Sequence, residues 1–179
     1  MSIVSATKYY SGHSDVMGGS LAINKKLFKK VELSQKAIGS RLGPDDAYLI
    51  IRGLRTLDIR LDKHQQNALK IAKFFSKQRK VKEVFYPFKK NTNQYKMWKK
   101  YYSGASGLMG IKVLSKNKNS VIKFLNKLKL FGYGYSWGGF ESLALYQDKL
   151  ALGNRSYTKL NNNEPVSYTH LRAHETLNH

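Results

Sequence analysis

The hydrophobic positions of the chain follow a helical period in some segments and alternate in others. Between Leu57 and Gln78 the apolar residues recur at three- and four-residue steps, which predicts one long amphipathic helix. Val81–Tyr86 alternates like a strand and stops before Pro87. Strands and helices of this kind follow one another along the chain, which favours an α/β fold. The other predicted helices are 27–38, 44–54, 95–102 and 120–130, and the other predicted strands are 2–7, 20–24, 107–114 and 141–146.

The composition adds few constraints. The chain has 179 residues, of which 41% are hydrophobic, enough for a packed core. It has no apolar run of membrane-spanning length, and its first residues lack the pattern of a signal peptide. Without cysteine it has neither disulfides nor a thiolate metal site, and we predict no metal. A cytoplasmic protein without membrane attachment is the setting that fits these features.

The net charge of +21 raises the alternative of a cationic nucleic-acid-binding protein. The lysines are scattered in ones and twos over several segments, and no binding motif organises them. Lysine also outnumbers arginine, as the codon usage of an AT-rich genome produces. We therefore expect solvated helix faces rather than a nucleic-acid site.

Candidate chemistry begins at the amino end of the chain. Lys8 follows a short apolar strand, where burial would favour the uncharged amine of a Schiff-base lysine. Ser5 and Thr7 are two residues apart, so on a strand their hydroxyls would face the same side. Together the two hydroxyls would suit a phosphate beside the lysine, although a lone lysine after a strand is more often a surface residue. His13 and Asp15 in the following loop are expected to order that loop rather than to form an acid–base pair.

Four segments together resemble the transsulfuration family of pyridoxal-phosphate enzymes. They are Ser5-Ala-Thr-Lys-Tyr-Tyr-Ser-Gly-His-Ser-Asp-Val-Met-Gly-Gly19, Gly43-Pro-Asp-Asp-Ala-Tyr-Leu-Ile-Ile-Arg-Gly-Leu-Arg-Thr56, His64-Gln-Gln-Asn-Ala68 and Tyr135-Ser-Trp-Gly-Gly-Phe-Glu-Ser142. The resemblance extends from Ser2 to about Pro165. It implies fold type I, the aspartate-aminotransferase-like architecture, as a fragment. Residues 1–57 would end the large cofactor domain, and 58–165 would form most of the small C-terminal α/β domain.

The resemblance also implies a cofactor and a site. Lys8 would hold pyridoxal 5'-phosphate as an aldimine, with Ser5 and Thr7 on the cofactor phosphate. Ser136 would bind the substrate α-carboxylate in a pocket shaped by Tyr135 and Trp137. The residues that stack on the cofactor ring, pair with its pyridine nitrogen and complete carboxylate binding are expected outside this chain. The substrate would be a small amino acid, and the full-length enzyme a homo-oligomer, a tetramer by family resemblance.

The choice of reaction within the family depends on Trp137. Bacterial cystathionine β-lyases resemble the Ser-Trp-Gly-Gly pattern found here, whereas the synthases and γ-lyases more often have Ser-Leu-Gly-Gly. We therefore expect a carbon–sulfur β-lyase that cleaves cystathionine to homocysteine, pyruvate and ammonia. Cystathionine γ-synthase, cystathionine γ-lyase and methionine γ-lyase remain the alternatives, and Trp137 as a packed core aromatic is compatible with any of them.

The end of the chain does not fit this family. Val166–Thr176 resembles the in-frame translation of a transposase-type sequencing adapter, and residues 177–179 would follow from its barcode. We therefore interpret 166–179 as a non-native, adapter-derived tail and give its three histidines and Arg172 no role. We expect removal of the tail to change the behaviour of the chain little. His64, on the long helix, is interpreted as a surface or interface residue.

Overall fold

A computed structural model describes residues 1–88, 90, 92–115 and 117–147, together with the backbone of 166–172. The end of the expected small domain, 148–165, and the last part of the expected tail, 173–179, lie outside the described residues. The fold is mixed α/β, as the sequence predicts. It divides into two compact units, of which the first is Met1–Asp58 with Gly138–Phe140. The second contains the other described residues from Ile59 onward.

The first unit contains a strand pair and two helices. Strand β1 (Ser2–Ser5) pairs antiparallel with β2 (Gly19–Ala22), with Ser5 opposite Gly19. Helix α1 (Lys25–Ile38) begins at Asn24, whose side chain accepts a hydrogen bond from Leu27 N, and ends at a left-handed glycine. Helix α2 (Pro44–Leu54) has its proline in the first turn and two aspartates beside it, as the sequence predicts.

The prediction of a buried strand from Ser2 to Thr7 is wrong in two respects. The strand ends at Ser5, and Ala6–Tyr10 forms a single wide helical turn, which we call the lysine turn. The strand is also mostly exposed, because β2 is its neighbour in a two-stranded sheet and no side-chain cluster of the described residues covers its face. A short apolar run does not by itself show whether a second layer covers it.

The second unit is built on a five-stranded sheet in the order β3-β4-β7-β6-β5. Neighbouring strands are antiparallel except β5 and β6, which are parallel. The strands are β3 (Val81–Phe85), β4 (Leu108–Leu114), β5 (Gly132–Tyr133), β6 (Leu143–Gln147) and β7 (Val166–Arg172). The helices are α3 (Leu57–Phe75), which starts in the first unit, α4 (Asn93–Tyr101) and α5 (Lys118–Leu125).

One apolar cluster joins the sheet of the second unit to α3 and α5. Ala68 and Ala72 of α3 pack with Ile111 of β4 and Leu125 of α5. His64 is only 5% exposed on the same helix, so the surface alternative is wrong, whereas the interface alternative stays a prediction. The reason is its spacing, three residues after Leu61 and four before Ala68, which places it on the apolar stripe of α3.

The backbone of Val166–Arg172 lies in the middle of this sheet. Strand β7 pairs with β4 along its whole length and with β6 on its other side. This position argues against the expectation that removal of the tail changes little, and that expectation stays a prediction. Because main-chain pairing does not require particular side chains, a segment of foreign origin can take this position, and the adapter assignment of 166–179 stays a prediction.

Aromatic side chains of the second unit pack closely around α4. Trp98 lies edge-on to Phe88 with ring centroids 4.4 Å apart and stacks on Tyr95 at 5.5 Å. Its indole N–H donates to Gly104 O at 3.0 Å. These contacts indicate packing rather than a base-stacking platform. No helix in the described part of the chain is long and apolar enough to cross a membrane.

Candidate functional site

Lys8 lies within the lysine turn that follows β1. The turn closes through Ser11 N, which donates to Ala6 O at 2.9 Å, and Gly12 N, which donates to Lys8 O at 2.8 Å. Lys8 itself leaves helical geometry, with φ −93° and ψ −114°. Its side chain is half-buried. The hydrogen-bonded turn therefore fixes the backbone from which the amine projects.

Thr7 ties the lysine turn to the far end of the loop after it. Its hydroxyl accepts a hydrogen bond from Gly18 N at 2.9 Å and lies 3.3 Å from Gly18 O, to which it donates. The Thr7 main-chain N–H also donates to Gly18 O, at 3.2 Å. The loop between Lys8 and Gly18 is thus held at both ends.

Ser5 and Thr7 do not share a strand face, because the chain turns between them. Ser5 ends β1 and is exposed, whereas Thr7 belongs to the lysine turn. The Ser5 hydroxyl makes no hydrogen bond to any residue that the structure describes. It therefore retains its full hydrogen-bonding capacity for a ligand.

A small core and two close glycine contacts hold the lysine turn against its surroundings. Ala6 packs with Val16 and Ile50, and all three are buried. A Cβ atom at Gly53 of α2 would clash with the main-chain oxygen atoms of Tyr10 and Ser11, so the helix packs directly against the backbone at the end of the turn. Only glycine permits this approach without moving the backbone.

A third glycine, Gly138, touches the lysine turn from a distant part of the sequence. It has φ +78°, and a Cβ built on it would lie 2.8 Å from Lys8 C and 2.7 Å from Tyr9 N. Gly138 is buried and belongs to the same unit as Lys8. Sequence reasoning assigned it no role, although a Gly-Gly pair directly after Ser136-Trp137 was the available signal.

His13 and Asp15 have different partners, which accords with a loop-ordering role. His13 Nδ1 lies 2.6 Å from Ser11 O and donates to it. Asp15 Oδ2 lies 4.0 Å from Arg52 of α2, with both side chains partly exposed. In the part of the chain that the structure describes, no three His, Cys, Asp or Glu side chains form a metal-binding cluster.

Tyr135, Ser136 and Trp137 lie in the second unit, and Lys8, Ser5 and Thr7 in the first. Trp137 is 37% exposed, which is inconsistent with a packed core aromatic. The Tyr135 ring lies edge-on to Tyr133, with centroids 6.3 Å apart. Partial desolvation, the hydrogen bond to Tyr135 and the nearby Tyr135 charge raise the pKa of Tyr133, which therefore remains a neutral phenol at physiological pH.

The groups around the lysine turn fit an aldehyde that carries a phosphate. Lys8 provides a primary amine. Ser5 provides a hydroxyl that makes no hydrogen bond to any described residue. Thr7, one residue before the amine, provides a second hydroxyl that can keep accepting from Gly18 N while its proton turns to another acceptor. The donor set therefore suits pyridoxal 5'-phosphate.

Comparison with known proteins places these features in context. The family described as Cys/Met metabolism PLP-dependent enzyme matches residues 1–162. The cystathionine β-lyase of Haemophilus influenzae is 37% identical over 146 residues, which are 81% of this chain and 37% of that protein. The L-alanine/L-glutamate racemase of Wolbachia pipientis wMel is 36% identical over 153 residues, 85% of this chain and 38% of that protein.

A solved structure shows the same fold over nearly the whole chain. Cystathionine γ-synthase from Xanthomonas oryzae pv. oryzae, in complex with aminoacrylate and cysteine, matches with a TM-score of 0.81 at 28% identity. The match covers 95% of this chain and 45% of that one. The chain thus spans less than half the length of each of these three proteins.

Proposed function

The chain belongs to the Cys/Met-metabolism family of PLP-dependent enzymes, and we propose that it is part of a carbon–sulfur β-lyase that cleaves cystathionine. The products would be homocysteine, pyruvate and ammonia. The family has the type I fold of PLP enzymes, and its members act on small molecules, which argues against the nucleic-acid alternative. We call the longer protein of which this chain would be part the parent enzyme, and we propose that it is a homo-oligomer.

The observation that carries the proposal is the lysine turn. A half-buried lysine projects from a backbone that is hydrogen-bonded within the turn. Gly53 and Gly138 pack against this backbone so closely that a side chain at either position would clash with it. An exposed lysine on a helix face has no such support. A covalent site needs this support, because the reacting amine must return to one position in every turnover.

We assign the remaining contacts by the same family pattern. Ser5 and Thr7 would donate to the cofactor phosphate, since hydroxyl groups donate well to an anionic acceptor. Ser136 would bind the substrate α-carboxylate, with Tyr135 and Trp137 shaping its pocket. Trp137 is exposed enough in the second unit to contact a ligand.

The proposed reaction moves one proton through Lys8. When bound, PLP supplies an electron sink for the charge left at the substrate Cα. Lys8 would hold the cofactor until the substrate binds, and its released Nζ amine would then remove the Cα proton. The bond between Cβ and sulfur then breaks, and homocysteine leaves as a thiolate that takes up a proton. Water converts the remaining three-carbon fragment to pyruvate and ammonia.

One observation favours the β-lyase within the family, and another favours a second candidate. The chain has Ser136 followed by Trp137, as in the Ser-Trp-Gly-Gly pattern of the bacterial β-lyases. The Wolbachia racemase is almost as similar as the Haemophilus β-lyase, at 36% against 37% identity. Racemisation would start with the same removal of a Cα proton by a lysine. Alanine racemisation is therefore the second candidate activity, to be measured beside cystathionine cleavage.

Borohydride reduction of the parent enzyme tests the site. We expect PLP to become fixed on Lys8, and Lys8→Ala to lose the absorbance band of the lysine-bound cofactor, whereas Lys25→Ala at the exposed start of α1 keeps it. Cofactor fixed on another lysine would refute the site.

Product analysis tests the reaction. With cystathionine we expect homocysteine and pyruvate in equal amounts, and with L-alanine no formation of D-alanine. Cysteine and 2-oxobutyrate would indicate a γ-lyase, condensation of an activated homoserine with cysteine a synthase, and D-alanine a racemase.

A further inference from the structure

Gly138 meets two separate conditions that only glycine satisfies. Its φ of +78° lies in the left-handed region, which residues with a side chain rarely adopt. A Cβ at this position would also lie 2.7 Å from Tyr9 N, 2.8 Å from Lys8 C and 3.1 Å from Tyr9 Cα. All three atoms are main-chain atoms, so the clash could not be relieved by rotating a side chain.

The contacted atoms belong to the peptide bond that leaves Lys8. That peptide follows the one residue in the lysine turn whose φ and ψ are not helical. Its carbonyl oxygen is held by Gly12 N at 2.8 Å and approached by the buried Ser11 hydroxyl at 3.4 Å. In addition to these hydrogen bonds, the close packing of Gly138 restricts movement of the Lys8–Tyr9 peptide. A shift of this peptide would also rotate the Lys8 Cα–Cβ bond, from which the amine extends.

We propose that Gly138 is a positioning residue that fixes the direction of the Lys8 amine through the Lys8–Tyr9 peptide. The inference rests on the proposed function, because it concerns how the cofactor lysine is held. It also gives the Gly-Gly pair a role distinct from the preceding Ser136 and Trp137. Those residues would contact the substrate, whereas Gly138 acts on the lysine through main-chain contact alone.

Gly39 provides a matched control for the backbone conformation. It has φ +70° at the end of α1, and a Cβ built on it meets nothing within 4 Å. Gly39→Ala therefore introduces the conformational cost of an L-residue without a clash. The difference between Gly138→Ala and Gly39→Ala measures the contact with the lysine turn.

The experiment compares the two variants in the PLP-loaded parent enzyme. For Gly138→Ala we expect kcat for cystathionine to fall about 100-fold, the loss typical of a reacting group displaced by about an ångström, with a smaller change in KM. The pH midpoint of the absorbance of the lysine-bound cofactor should also shift. Gly39→Ala should keep both the parent kcat and the parent pH midpoint.

The possible outcomes separate the inference from the proposed function. Equal behaviour of the two folded variants would overturn the role of Gly138, even with PLP on Lys8. A parent enzyme that holds no PLP on Lys8 would instead refute the proposed function. If Gly138→Ala does not fold, D-alanine introduced at 138 by peptide ligation decides the question, because a D-residue accepts positive φ and has no methyl group at the clashing position. That variant should retain the cofactor band and kcat, and their loss in a folded protein would overturn the proposal.

Discussion

Thr7 illustrates how one side chain can serve the loop and the ligand together. Its hydroxyl has one proton and two lone pairs, and Gly18 N already donates to one lone pair at 2.9 Å. The longer contact, 3.3 Å to Gly18 O, uses the proton, but Gly18 O also accepts from Thr7 N. Turning the proton to a phosphate therefore leaves Gly18 paired on both sides.

This double role predicts different losses for two cofactor forms. In the parent enzyme, Thr7→Val should weaken binding of phosphate-free pyridoxal about fivefold, the value of one neutral hydrogen bond. It should weaken PLP binding about 50-fold, because a charge-assisted hydrogen bond is lost as well. Thr7→Ser should keep both affinities, and Ser5→Ala should weaken PLP binding alone. Spectroscopic titration of the variants with both ligands measures these affinities.

If Thr7→Val lost the same affinity for PLP as for pyridoxal, the role of Thr7 would be to hold the loop and not to bind the phosphate. A loss for PLP without one for pyridoxal would show that the hydrogen bond to Gly18 does not matter for binding.

At the residue scale, the sequence points to groups with obvious chemistry and gives no sign of those that act through packing. Lys8, Ser5 and Thr7 can be proposed as site residues because amines and hydroxyls have a chemistry that a short motif displays. Gly138 was missed because its contribution is the absence of a side chain beside a backbone 129 positions earlier in the sequence. His64 was interpreted as a surface or interface residue because polar residues usually lie there, although its helical spacing indicated the interior.

At the scale of elements, periodicity predicted helices well and strand environment poorly. Helices α1 to α5 each overlap a predicted helix, and their ends differ from the predicted ones by at most five residues. Strand β1 was expected to be buried and continuous through Thr7, because a run of apolar and small residues gives no sign of which layers cover it. Whether a strand is covered depends on the rest of the fold.

The central position of β7 leads to a truncation test on the 179-residue chain. Removal of 166–179 leaves the facing edges of β4 and β6 without their shared neighbour. Strand β7 pairs over seven positions with β4 and five with β6, and each lost main-chain hydrogen bond contributes about 1 kcal/mol. The second unit should therefore lose on the order of 10 kcal/mol, comparable with the whole stability of a domain, and its urea midpoint should fall sharply. Removal of 173–179 alone keeps β7 and should leave the midpoint unchanged. Equal midpoints for both truncations in dilute solution would show that β7 does not contribute to the sheet.

At the scale of the whole chain, large apolar side chains remain on the surface of the first unit. Ile3 is 72% exposed, Met17 80% and Ile38 78%. Where such side chains lie next to one another, they mark a surface that another part of a protein covers. The family could be predicted from four motifs, but this surface could not, because exposure depends on which segments are present.

We expect the 179-residue chain by itself to release no pyruvate from cystathionine and to bind PLP weakly. Lys8, Thr7 and Ser5 supply the amine and two hydroxyls, and Ser136 would bind the substrate carboxylate. The groups that would stack on the cofactor ring, pair with its pyridine nitrogen and complete carboxylate binding are not among the assigned residues. Its exposed apolar side chains should also bind a hydrophobic dye and cause self-association. Pyruvate assay, PLP titration and light scattering measure these properties. Cooperative melting of a monomer that turns over cystathionine would contradict this expectation.

The glycine contacts around Lys8 also have a consequence at the level of the genetic code. Every missense change of a glycine codon introduces a Cβ atom, and at Gly53 and Gly138 that atom would meet main-chain atoms of the lysine turn. A gene drifting toward A and T turns glycine codons into those for serine, arginine, aspartate, glutamate, valine or cysteine. Exposed arginines can become lysines under such drift without harm to the fold. At these two positions only synonymous changes of the codon are neutral, so selection should keep the encoded glycines while the surrounding surface changes.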